Sequence, residues 1–133
     1  MEQPPSHDAR GLFARRVFLL AGIAGLLVIV PLFFALDYIG QQYPPAVNHP
    51  EYYYDFLAIA LAWQVTFLLI ARDPVRFRPL MTGGMLEKAG HITAMAAMFV
   101  AGHIQLEQLI TGAILDVILL GLFVMAYRRT PAA

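Results

Sequence analysis

Apolar residues fall in four long blocks, over residues 17–36, 50–71, 79–102 and 105–127, each separated from the next by a short polar or turn-forming stretch. Each block has the roughly 20 residues that an α-helix needs to cross the hydrocarbon core of a bilayer. The breaks carry helix-boundary signals. His49-Pro50-Glu51 and Asp73-Pro74 each place a proline beside an acidic residue, as the first turn of a helix favours, and Pro79 is a third such start. Gly102 is placed to end the third helix, and the very short loop after it turns the fourth back antiparallel. The pattern predicts an all-α fold, an integral membrane antiparallel four-helix bundle. It forms a single membrane domain over residues 1–133, with a polar tail at 1–16. The first block is too long for the apolar region of a signal peptide and has no A-x-A site after it, so it reads as a retained helix.

Composition agrees with the pattern. Hydrophobic residues make up 59% of the chain and charged residues 14%, against about 25% charged in a soluble domain. Basic residues then fix an orientation. Arg10, Arg15 and Arg16 precede the first span, Arg72, Arg76 and Arg78 join the second to the third, and Arg128 and Arg129 follow the fourth. The other two connections hold no Lys or Arg. Positive charge marks the cytoplasmic side, so the N and C termini are both expected to be cytoplasmic. Tyr52, Tyr53 and Tyr54, at the opposite end, suit the aromatic belt at headgroup level.

Several chemistries are excluded. The chain has no cysteine, which removes disulfides, thiolate metal sites and thiol catalysis. Formal net charge is zero, so nucleic acid is not an expected partner. Of the four histidines only His91 lies deep in a span, so this chain alone cannot supply a bis-histidine haem. Glu87, His91 and Asp116 lack the tight pair of His ligands that recommends a metal site, and no metal is expected. No phosphate loop, nucleophile motif or dinucleotide fingerprint is present. The cofactor, if one is used, is unspecified.

What remains is a set of polar residues inside the spans. At ~1.5 Å per residue, Gln64 and Glu87 lie ~10 Å from the basic side, and His91 and Asp116 ~16 Å. Positions 91 and 116 flank the loop at 102–105 symmetrically, as positions 64 and 87 flank the loop at 72–79. Each pair is therefore level on antiparallel neighbours. Gly84, Glu87, His91, Ala94 and Met98 share a stripe of the third span, while Gly112 and Asp116 share one on the fourth. Lys88 is rotated about 100° from Glu87 and reads as pointing away and snorkelling to the surface, although Glu87 has a second reading as an interfacial anchor paired with Lys88 or the nearby arginines. Trp63 reads as lipid-facing or core, with a stacking platform as the alternative. An intramembrane Asp costs about 2.5–3.5 kcal/mol on insertion scales. A polar cluster of Gln64, Glu87, His91 and Asp116 is therefore either a clasp between helices or a ligand- or proton-handling site.

The four-span plan, the cytoplasmic positive bias and the segment GGMLEKAG, with Gly83, Gly84, Glu87 and Gly90, resemble the small bacterial DoxX/DoxD-type membrane proteins. The resemblance implies a multi-pass protein of the bacterial inner membrane, some of whose relatives are accessory subunits of quinone-linked redox systems. It carries over no catalytic residue, and the lack of cysteine separates this chain from members proposed to act through thiols. The resulting expectation is a non-enzymatic accessory or binding subunit, in contact with membrane lipids and with other membrane subunits or further copies of itself. The rivals are an enzyme that acts on a lipophilic substrate by proton transfer at His91 and Asp116, and a small proton-coupled transporter.

Overall fold

The structure is a computed structural model and describes residues 11–132. The first ten residues of the expected tail lie outside the described residues. The described chain is helical throughout and contains no strand. It runs α1 (Leu12–Leu32), α2 (Leu36–Gln42), α3 (Pro50–Arg72), α4 (Arg78–Val100) and α5 (Leu106–Arg129).

All four apolar blocks are helices, with corrections at the ends of the first. α1 begins at Leu12, where hydropathy alone starts it at residue 17. Leu, Ala and Arg are all good helix formers, and Ala14 is buried, so the helix runs on beyond the apolar block into what reads as tail. It also stops at Leu32, short of residue 36. Beyond Pro31 the backbone tightens into i to i−3 bonds: Phe33 donates to Val30 O (3.2 Å), Phe34 to Pro31 O (3.0 Å) and Ala35 to Leu32 O (3.1 Å). Leu32 O also accepts the Tyr53 hydroxyl at 2.7 Å, which ties the end of α1 to the start of α3. The next segment, read as loop, contains the short α2, none of whose residues is buried.

The other boundaries follow their local chemistry. Asp73 Oδ1 accepts the Arg76 amide at 3.1 Å and closes the turn before α4. α4 ends as the sequence predicts, with Gly102 at φ 76°. His103 donates to Met98 O (2.9 Å) and Gly102 to Phe99 O (3.0 Å), the paired bonds of a Schellman motif. Gln105 and Gln108 then form a capping box at the start of α5.

Leu12–Leu32, Pro50–Arg72 and Leu106–Arg129 are long and apolar enough to cross a membrane. α4 matches them in length at 23 residues. It carries Arg78, Glu87 and Lys88 and interleaves glycine and threonine with its apolar positions, and it falls short on composition.

α1 packs along α3 and α4 along α5, and α1 also touches α5; α3 and α4 share the fewest contacts of these pairs. The core sits where the two pairs converge. Phe18 stacks on Phe123 with centroids 4.4 Å apart, and Phe67 meets Phe123 edge-on at 5.0 Å. Phe18, Phe67 and Phe123 are fully buried, together with Met81 and Ala126. Arginines surround this end. Arg78 Nε donates to Tyr127 O (3.2 Å) and its guanidinium lies over the Tyr127 ring, while Arg129 lies over Phe13. Trp63 joins the edge of this core, against Gly83 and Phe67, as one of its readings required. At the other end the α4–α5 hairpin exposes Met98, Phe99, Val100, Leu106 and Ile110.

Candidate functional site

Gly84 positions the site. A Cβ there would lie 3.0 Å from Phe67 Cε1 and 3.5 Å from two Phe123 ring atoms, so glycine lets the α4 backbone rest on the aromatic core. One turn further on, Glu87 and Lys88 come level with the gap between the two helix pairs, and His91 follows one turn after Glu87. Asp116 lies two turns before Phe123 on the same side of α5 and reaches α4 from there.

The geometry brings four ionisable groups together. His91 Nδ1 lies 2.5 Å from Asp116 Oδ2, the level pairing that the symmetry of the hairpin predicts. Lys88 corrects the sequence reading. It does not point away or snorkel, but lies 3.0 Å from Asp116 Oδ1 and 3.0 Å from Glu87 Oε2, with its side chain 9% exposed. The side chains of Asp116, Glu87 and His91 are 14%, 25% and 39% exposed. A helix seated between neighbours buries a wide arc, and positions 88 and 91 are one turn apart, so both reach the same aspartate. Two carboxylates facing one ammonium offset much of the cost of burying each charge.

The hydrogen bonding is incomplete on one side. Lys88 donates to Glu87 Oε1 at 3.3 Å, but its approach to Oε2 is off-axis. Glu87 Oε2 is therefore a buried acceptor with an ion-pair neighbour and no hydrogen bond. His91 Nε2 has no hydrogen-bond partner among the described residues.

Gln64 is brought to the site but not in the expected way. It is level with the cluster, yet its Nε2 donates to Ala60 O in its own helix at 3.0 Å, and its carboxamide occupies the space that a side chain at Gly25 would need. It makes no hydrogen bond to Glu87. The expected pairing of positions 64 and 87 is not made, because the Gln64 side chain turns to α1 at Gly25 rather than to α4.

A cleft of about 860 Å³ separates the α1–α3 pair from the α4–α5 pair. α1 lines it from Phe13 to Leu32, and the lining includes Gln64, Glu87, Lys88, His91 and Asp116. The rest of the wall is apolar apart from Arg16 at the basic end. The cleft lies in the upper part of the volume range of small-molecule sites, and its form fits their general plan of a few polar groups converging on an apolar cavity. No group of three or more His, Asp or Glu residues able to hold a metal ion occurs among the described residues. Comparison with protein families, curated proteins and solved structures yields no match for this chain.

Proposed function

We propose that the chain is a small multi-pass protein of the bacterial inner membrane, and that its cleft binds a lipid-soluble molecule bearing a polar group. One observation carries this reading: Glu87, Lys88, His91 and Asp116 all line the cleft, and the half-exposed His91 ring has no hydrogen-bond partner at Nε2 among the described residues. A clasp between helices needs neither the cleft nor an unpartnered ring nitrogen. The chain then serves as a binding subunit within a membrane assembly. The DoxX/DoxD likeness adds little weight, because Gly83 and Gly84 are already required by the close approach of Trp63 and Phe67.

Native mass spectrometry of protein extracted in mild detergent tests the binding. The wild-type chain should retain one lipophilic adduct, and Ala60→Phe, which fills the cleft wall, should lose it. Two bare chains, or the same adduct on both, would reject the reading.

In this proposal α4 also crosses the membrane, which makes four spans with both termini in the cytoplasm. The support is that the arginines gather at one end of the helices. The absence of native cysteine makes single-cysteine labelling clean. Arg76→Cys and Pro131→Cys should react only from the cytoplasmic side, and Gln42→Cys only from the outside. Labelling of Pro131→Cys from the outside would mean that α4 does not cross.

A second reading, acid–base catalysis on the bound molecule, draws on the Asp116–His91 pair. A carboxylate on one ring nitrogen orients the imidazole and leaves the other nitrogen to exchange a proton. It requires the same cleft to be filled first.

A further inference from the structure

A count of donors and acceptors in the cluster narrows the ligand, given the binding proposed above. Asp116 uses Oδ1 on Lys88 and Oδ2 on His91. An ionised carboxylate only accepts hydrogen bonds, so the His91 proton in that pair sits on Nδ1. In the neutral imidazole Nε2 is then a lone-pair acceptor. Glu87 Oε2 lies 3.0 Å from the Lys88 ammonium and is buried from the cleft, so it is not open to a ligand. Gln64 gives one of its two amide N–H groups to Ala60 O, which leaves Oε1 as a second acceptor and the other N–H as a donor. The cationic donor of the cluster, Lys88, is already engaged by two carboxylates and faces the Phe67 ring at 5.9 Å with what remains. The wall of the cleft thus presents two acceptors at mid-depth, His91 Nε2 and Gln64 Oε1, with the second Gln64 N–H beside them.

We infer that the ligand carries a hydroxyl group, as a lipid-soluble alcohol or phenol, which donates its proton to His91 Nε2 while its hydrocarbon part lies along α1. The charges point the same way. Two carboxylates against one ammonium repel an anionic headgroup from this level of the cleft. Arg16, the one other cation in the lining, lies ~14 Å further along α1, at the basic end. A phospholipid or fatty acid would place its head there and need nothing from the cluster. A ketone or quinone carbonyl could accept the free Gln64 N–H but would leave His91 Nε2 without a donor.

The test uses two matched pairs of probes, hexadecanol with its methyl ether and 4-nonylphenol with its methyl ether, titrated into delipidated full-length protein by native mass spectrometry. One hydrogen bond to an otherwise unfilled acceptor should favour the hydroxyl member by about tenfold. The pair that shows the larger preference separates an alcohol from a phenol. His91→Phe keeps the ring and removes the acceptor. It should lower the preference towards unity while leaving binding of the ether unchanged, and the smaller His91→Leu, which also removes the acceptor, is the second variant should His91→Phe fail to fold. Equal binding of hydroxyl and ether by wild-type protein would overturn the hydroxyl assignment and leave an apolar lipid seat. Failure of all four probes to bind would instead remove the binding reading on which the assignment rests. Tight binding of hexadecanoate, abolished by Arg16→Gln, would also overturn it by placing the head at the basic end.

Discussion

Lys88→Met should destabilise the folded protein by about 3–5 kcal/mol, the cost of leaving one side of a buried ion pair without its partner. Lys88 is held within 3.0 Å of both Glu87 and Asp116. Without it two carboxylates face each other across the α4–α5 seam, with His91 as the only group left to answer either. The effect is one of missing compensation, so it should reverse when the charges are removed together. Replacing Glu87, Lys88, His91 and Asp116 by Leu, Met, Leu and Leu gives a seam of similar volume with nothing left unpaired, and buried charge clusters replaced in this way often keep or gain stability. Denaturant unfolding in a fixed detergent should place the single variant well below wild type and the fourfold variant near it. A Lys88→Met protein as stable as wild type would mean that the lysine reaches solvent after all.

Gly84→Leu is the second large expected effect, and it acts on packing. The Cβ already meets Phe67 at 3.0 Å and Phe123 at 3.5 Å, and three further carbons have nowhere to go while α4 stays in place. Overpacking of this kind costs about 1–3 kcal/mol. Moving α4 away also carries Glu87, Lys88 and His91 off the cleft one turn later, so the ligand should be lost along with the stability. Gly90→Leu is the matching control, since nothing lies within 4 Å of a Cβ at that position. It should change stability by no more than about 0.5 kcal/mol. Equal effects at positions 84 and 90 would contradict the close approach of α4 to the aromatic core.

The parts of this arrangement that depend on local or hairpin geometry were legible in the sequence. Gly102 ends α4 through its positive φ, and the pairing of His91 with Asp116 follows from counting equal distances from one short loop. The same count places Lys88 one turn from His91 and therefore within reach of Asp116. It was misassigned because a helical wheel treats a residue 100° from the chosen stripe as outside it. The partner of Gln64 was not legible. It depends on the fit of α1 against α3 at Gly25, which no periodicity within one helix encodes. The cleft was hidden for the same reason. It exists because two helix pairs converge on Phe18, Phe67 and Phe123 while α3 and α4 stay largely apart. α2 was missed because hydropathy carries no signal for a short helix whose residues are all unburied.

The most direct measurement is ligand retention by the fourfold Leu, Met, Leu, Leu variant, read by native mass spectrometry beside wild-type protein after both have been shown to unfold at similar denaturant. A cluster that holds the ligand predicts a folded protein that has lost the adduct carried by wild type. A folded variant that keeps the same adduct would show that Glu87, Lys88, His91 and Asp116 only clasp α4 to α5.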